Sequence, residues 1–414
     1  MSNRGKIKNT REKRRPLPLL ILAACLLFGL SLGVRMNYGI ILNAFADHAG
    51  LMYSKISLVI AIGELVYGVT QPAFGVLALK KSNGFVLMTG LLLLAVGFAL
   101  SAFARTPLLL TLTLGMCISA GTGALSFGII MGGLSPFVGK SKASAVSGIV
   151  NASSGIGSSI MSPLVERLIA AAGITKGMLV LSLPALVFLP LALLLSKAGE
   201  TKSGDGGCEE ERKGVPVRER LKAALSSRTY RYLMMGFGTC GFHMSLIQNH
   251  LYSQIVSYGI DKSTAAFAYT TFGIGTMLGA LACGLICLKV PLKRVLGSIY
   301  GLRVLLIAVF LFILPKNVYS VVFFGIALGL TGDATVTPTS EIVSRKFGAE
   351  SMGLLFGFVF VCHQIGSFIS TWLAGYLFQI TGEYQVIWMV NLCLCGLASL
   401  VSYRIRVSDY ETLA

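Results

Sequence analysis

The stretch LPLLILAACLLFGLSLGVRMNYGIILNA (residues 17–44) carries one formal charge, Arg35, in a run long enough to cross a bilayer. About 20 apolar residues at 1.5 Å rise per residue span roughly 30 Å of hydrocarbon. Further stretches read the same way at 56–79, 85–104, 107–136, 143–172, 176–197, 230–258, 263–288, 293–314, 317–344, 350–379 and 384–406. None shows the ten-residue alternation of a transmembrane strand. Composition agrees: of 414 residues, 54% are hydrophobic and only 13% charged, with mean hydropathy +0.77. An average soluble chain carries about 25% charged residues. The expected fold class is an all-α membrane protein with twelve transmembrane helices, numbered here as spans 1 to 12. A soluble enzyme, a secreted disulfide scaffold and a disordered chain are excluded.

A net charge of +18 first suggests nucleic acid, but on a polytopic protein basic residues are an orientation signal. Of 35 Lys and Arg, 27 fall in the two tails and the loops on the tail side. Lys55, Arg105, Lys176, Lys262 and Lys316 lie on the other side, and Arg35, Arg167 and Arg303 lie within spans. Both termini are therefore expected in the cytoplasm, with no nucleic-acid partner, and an even number of spans agrees. The basic run Arg11–Arg15 precedes an apolar segment far longer than the 7–15 residues of a signal peptide, so that segment is read as a span. Eight of the nine cysteines lie in spans, where they act as small apolar residues. Cys283 and Cys287 share a helical face, but nothing nearby completes a metal site. Asn151-Ala152-Ser153 lies within a span, so no accessible glycosylation site exists, and a prokaryotic inner membrane is the expected location.

Shifting the chain by 208–209 residues aligns its halves. Gly33-Val34-Arg35-Met36 matches Gly241-Phe242-His243-Met244, and the loop from Gly75 to Lys80 matches Gly284 to Lys289. Thr122-Gly123-Ala124 matches Thr331-Gly332-Asp333, and Ile156-Gly157-Ser158 matches Ile365-Gly366-Ser367. Four matches in one register give a parallel repeat of six-helix halves, an architecture that holds a solute at mid-membrane between them. The expected domains are a basic tail (1–16), an N-terminal bundle (17–197), a cytoplasmic linker ending in a short surface helix (198–229), a C-terminal bundle (230–406) and a tail (407–414).

Over 17–406 the chain resembles the major facilitator superfamily. GVLALKKSNG (75–84) stands where that family has a Gly-rich loop, with Leu79 in place of the usual Asp. Within the family, SGIVNASSGIGSSIMSPL (147–164) and LLFGFVFVCHQIGSFISTWLAGYLFQITGEYQ (354–385) are similar to the monocarboxylate and oxalate–formate group. GVRMNYGIILN (33–43) is similar to its bacterial members. The resemblance implies the major facilitator fold, with spans 1, 4, 5, 7, 10 and 11 lining the cavity. Members of that group often carry an Asp and an Arg in span 8, and TAAFAYTTFGIGTMLGALACGLICL (264–288) has neither. The Gly-Pro signature of drug antiporters in span 5 is absent.

An ionisable group in hydrocarbon costs about 2.5–3.5 kcal/mol on insertion scales, so each one asks for a reason. Arg35 in span 1 has a planar fork suited to a carboxylate; the alternative is a pair with Glu64 in span 2. His243 holds the repeat-equivalent position in span 7, so Arg35 and His243 are expected to face each other across the axis. His250 lies two turns further on, on the same face. His363 and Gln364 sit at mid-depth in span 11. Arg35, His243, His250, His363 and Gln364 are thus the candidate substrate ligands. Asp333 in span 10 and Glu64 are the candidates for proton coupling or charge balance. Arg303 in span 9 is expected at the periphery, pairing or snorkelling. Glu341 and Arg345 are expected to pair or gate near the end of span 10.

These residues favour a secondary transporter of a small organic anion, monocarboxylate-like, with a proton or a counter-substrate as possible co-transported species. The runner-up is an exporter of amphipathic or cationic compounds; a transporter-like nutrient sensor would need a signalling domain. No catalytic constellation, nucleotide loop or cofactor motif appears, so the chain is expected to be a non-enzymatic monomer in the bilayer.

Overall fold

A computed structural model describes residues 17–134, 137–138, 140–200 and 217–406. The expected tails and the middle of the linker, 201–216, lie outside the described residues.

Span 1 is Leu17–Arg35, continued by Tyr38–Ala49 after a turn at Met36 and Asn37. The turn has a cause: the Asn37 amide donates to the carbonyls of Gly33 at 2.7 Å and Ser158 at 3.2 Å. Span 2 is Tyr53–Lys80 and span 3 Asn83–Ser101. Span 4 runs Pro107–Leu134 through a π-helical section, Thr111–Ile118. Lys140–Val187 holds span 5 and the start of span 6, reversing at Gly173 with φ 72° and ψ 170°. That left-handed φ is open to glycine and strained for other residues. Leu189–Glu200 completes span 6, and a short helix, Val217–Ser226, precedes span 7.

Span 7 is Arg228–Leu246, a π-helical section Ile247–Leu251, and Tyr252–Ser257. Span 8 is Lys262–Ile286 and span 9 Leu292–Phe312. Span 10 is interrupted: Val318–Thr331, a 3₁₀ turn at Asp333–Thr335, then Val336–Phe347. Span 11 is Ala349–Thr381 and span 12 Gln385–Tyr403.

Among the described residues, ten helices are long and apolar enough to cross a membrane, against the expected twelve. Two physical facts account for the difference. The 50-residue run Val146–Leu195 crosses twice because it reverses at Gly173. Span 7 carries Arg228, Arg231, His243, Gln248, Asn249 and His250, and its polarity hides it from a hydropathy criterion.

Spans 1 and 5 pack together in the first half, spans 7 and 11 in the second, and spans 2–11 and 5–8 join the halves. Glycines permit the closest approaches. A Cβ on Gly157 would collide with the Gly29 carbonyl, and one on Gly366 with the Gly238 carbonyl. Both pairs are related by the repeat offset, so the internal symmetry of the sequence is also one of packing.

Among the described residues, contacts between the halves occupy the part of the bundle away from the linker. They run from Tyr53 with His250 and Ser162 with Ala266 to Ser159 with Thr270, Gly155 with Gly273, and Tyr67 with Phe360. Further toward the linker, a Cβ at Gly75, Gly148, Gly284 or Gly357 would meet nothing within 4 Å. Those glycines lie on spans 2, 5, 8 and 11, in two repeat-related pairs. Among the described residues, the halves meet on the face opposite the linker, while these four glycines toward the linker face open space.

Candidate substrate-binding site

Arg35 ends the first helix of span 1, where the Asn37 turn aims it inward at 6% exposure. Its Nη2 lies 2.7 Å from Oε2 of Glu64, itself 1% exposed. The guanidinium carbon sits 3.7 Å above the Tyr67 ring, a cation–π contact from the next turn of span 2. Asn249 of span 7 donates to Glu64 Oε1 at 3.3 Å and to the Thr371 hydroxyl at 2.8 Å. The Gln364 amide donates to the Glu64 backbone carbonyl at 3.0 Å. Glu64 thus ties spans 1, 2, 7 and 11. Gln364 is occupied with holding the halves together.

Two buried groups beside this pair are unspent. Arg35 Nη1 has no hydrogen-bond partner, nor does the Tyr38 hydroxyl next to Ser119. Unpaired donors away from water are costly, so each asks for a reason.

His243 and His250 do not share a face. His243 is fully buried and receives the Asn391 amide on Nδ1 at 2.9 Å, with Trp388 edge-on to its ring. Its contacts are with span 12 and those of Arg35 with span 2, so the expected facing of the two across the axis does not occur. His250 turns toward spans 2 and 11, with Tyr53 at 2.8 Å and the Thr371 carbonyl at 2.9 Å. The π-helical section between them widens the turn and rotates everything beyond it, which a count at 3.6 residues per turn misses.

His363 is half-buried and stacks on Phe360 with centroids 5.3 Å apart. Its Nδ1 lies 2.8 Å from the Gln364 carbonyl oxygen, so Nδ1 carries the proton there. Asp333 sits on the 3₁₀ break of span 10, half-buried, within electrostatic reach of His363 and Arg303. Its carboxylate makes no hydrogen bond or ion pair among the described residues.

Of the two expected roles for Arg303, pairing or snorkelling, the structure shows pairing, with the side chain turned inward and not to the periphery. It is 0% exposed and donates to the carbonyls of Thr331 at 2.5 Å and Gly332 at 2.8 Å. A helix interruption leaves carbonyls without intrahelical partners, and this guanidinium supplies donors to two of them. Its Nε and Nη1 are unpaired, with the Cys240 sulfur as a neighbour. Glu341 and Arg345 form an exposed i,i+4 pair at 3.0 Å, which is worth about 0.3–0.5 kcal/mol at such a site. Cys283 and Cys287 have sulfurs 3.8 Å apart.

Several residues that build the site escaped the sequence reading. Tyr38 and Tyr67 flank Arg35, yet a tyrosine in a span looks like interface decoration. Asn249, Thr371 and Tyr53 are meaningful only once spans 2, 7 and 11 are seen together.

An all-helical bundle of two repeated halves, shut on one face and holding polar groups at mid-depth, defines a membrane transporter. The Major Facilitator Superfamily profile matches residues 21–256 and 250–413, and the chain belongs to that family. It is similar to monocarboxylate transporter 13 of Rattus norvegicus, at 23% identity over 90% of this chain and 85% of the relative. Monocarboxylate transporter 11 of Mus musculus is 26% identical over 89% of this chain and 82% of its own length. An uncharacterized MFS-type transporter of Bacillus subtilis, YcxA, is 26% identical over 52% of this chain and 53% of that one. In fold, the chain is similar to a crystallised variant of the nucleoside transporter NupG. The TM-score is 0.75 at 12% identity, covering 93% of this chain and 99% of the other. The chain is thus a multi-pass membrane transporter of this superfamily, resembling its monocarboxylate group.

Proposed function

We propose that the protein carries a small organic anion of monocarboxylate type by alternating access, receiving its charged group beside Arg35. The observation that carries this reading is the pair of unspent buried donors, Arg35 Nη1 and the Tyr38 hydroxyl. Glu64 occupies one edge of the guanidinium, and a carboxylate arriving on the other would take up the remaining donors. His363 offers its second ring nitrogen from the opposite half, and Asp333 supplies a titratable charge. Among the described residues at this depth, a cationic substrate would meet Asp333, since Glu64 is already paired with Arg35. Relatives named monocarboxylate transporters support the anion.

A thermal-shift screen of purified protein against monocarboxylates, dicarboxylates, amino acids and cationic drugs tests the reading. A monocarboxylate at 100 times its dissociation constant adds about 2.7 kcal/mol of apparent stability. Stabilisation by cations alone would sink the anion assignment.

The proposed orientation has both termini and the linker in the cytoplasm of a cell membrane, on the strength of the basic-residue asymmetry. A cysteine replacing exposed Lys222 should resist an impermeant thiol reagent in intact cells, while one replacing Lys262 reacts. The reverse pattern would invert every loop.

A further inference from the structure

We propose that Tyr53, His250 and Tyr384 form the gate on the face opposite the linker, a latch that holds while the His250 imidazole is neutral. The inference rests on alternating access but not on which solute is carried.

The latch crosses the halves, since Tyr53 begins span 2 while His250 and Tyr384 belong to the C-terminal half. Its proton directions can be read off. The Thr371 carbonyl, 2.9 Å from His250 Nε2, can only accept, so Nε2 carries the hydrogen. Nδ1 of the neutral ring is then bare and accepts the Tyr53 hydroxyl at 2.8 Å. The Tyr53 oxygen in turn accepts the Tyr384 hydroxyl at 2.8 Å. Phe378 covers the assembly, stacked on Tyr384 at 4.5 Å and edge-on to Tyr53 at 5.2 Å. Both ring nitrogens of His250 are committed, so it has none left for a substrate.

Protonation strikes this arrangement twice. An imidazolium donates from both nitrogens and can no longer accept from Tyr53. It also brings a positive charge into a fully buried place. The groups facing it are Tyr53 of span 2, the Thr371 carbonyl of span 11, Tyr384 before span 12 and Ser253 on its own span. No carboxylate is among them: Glu64 is reached only through Asn249 and Thr371, and exposed Glu383 adjoins Tyr384 in sequence. Parting the halves hydrates the charge, so acid on that face favours opening. Below the latch, Ser57 packs on Gly375 and Asn249 on Thr371, so once Tyr53 swings free these contacts are the next to part.

Hydrogen–deuterium exchange on purified, substrate-free protein tests the latch, comparing about pH 7.5 with about pH 5.5 after correction for intrinsic rates. In the wild-type chain, peptides covering 51–60, 250–258 and 380–388 should exchange faster in acid, while spans 3 and 9 stay unchanged. Tyr53→Phe should raise exchange in those peptides about 5- to 50-fold at the higher pH. His250→Gln can accept from Tyr53 and donate to Thr371 but cannot ionise, so its gate peptides should stay protected at both pH values. Wild-type peptides that ignore pH would overturn the proposal, as would His250→Gln responding to acid like wild type. Tyr53→Phe protected as well as wild type would remove the latch itself. Anion binding takes no part in this readout, so failure of the substrate assignment would leave the result standing.

Discussion

Arg35→Gln is expected to lower stability by about 3–5 kcal/mol, because it strands a carboxylate in a place water does not reach. Glu64 is 1% exposed, and its remaining hydrogen bond partners are the neutral amides of Asn249 and, through the backbone, Gln364. Glu64→Gln should cost a similar amount for the mirrored reason. The double variant Arg35→Gln/Glu64→Gln removes both charges and should recover most of the loss, since two amides of similar shape can hydrogen-bond each other. Unfolding in detergent by heat reads this part. Anion affinity reads the other part, and there the double variant should not recover. Losing a charge-assisted contact of about 1.5–3 kcal/mol weakens binding roughly 10- to 150-fold. Arg35→Lys keeps the charge and loses the planar fork, so it should fall between. A well-folded double variant that binds a monocarboxylate as tightly as wild type would make Arg35 structural alone.

That design was not available from sequence, where Arg35 could be read as a substrate ligand or as Glu64's partner. The structure bears out the pair with Glu64 through Nη2 and leaves Nη1 without a partner, so the proposed anion contact does not compete with that pair. The fold itself was largely legible, because twenty-residue apolar runs and a repeated Gly register are long, redundant signals. The site was less so, because its geometry hangs on short irregularities that leave no periodic trace. The π-helical section at Ile247–Leu251 rotates His250 away from His243, and a helical count cannot see it. Arg303 pairs, as one of its two readings had it, but its inward facing was missed for a related reason. A charged residue on a span that packs outside the cavity suggests the lipid boundary, but span 10 is broken beside it and needs donors for its free carbonyls. The break follows Gly332, whose ψ of −87° departs from helical geometry. Glycine is so common in these spans that this one could not be singled out.

Asp333→Asn is expected to abolish proton-driven accumulation while leaving substrate exchange across the membrane intact. Span 8 carries no acid, so a coupling proton needs another carrier, and Asp333 has the right surroundings. It is half-buried on the 3₁₀ break, and no ion pair among the described residues holds it. A half-buried carboxyl whose surroundings change as the halves move can take a proton in one arrangement and lose it in the other. The Arg303 edge left over from the Thr331 and Gly332 carbonyls is its nearby cationic partner once the proton leaves. With one proton per anion, each unit of pH difference sustains about a tenfold solute ratio, worth 1.4 kcal/mol. In proteoliposomes the Asn variant should bring that ratio to unity under the same gradient, with counterflow of preloaded substrate near the wild-type rate. Asn keeps the side-chain shape, and Arg303→Lys, which keeps a charge but loses the fork, should impair both activities by loosening the break. Full accumulation by the Asn variant would exclude Asp333 and move the proton to His363, where His363→Gln becomes the deciding substitution. If wild type itself never accumulates substrate along a pH gradient, the free carboxylate is a charge-balancing group, and the protein works as an exchanger.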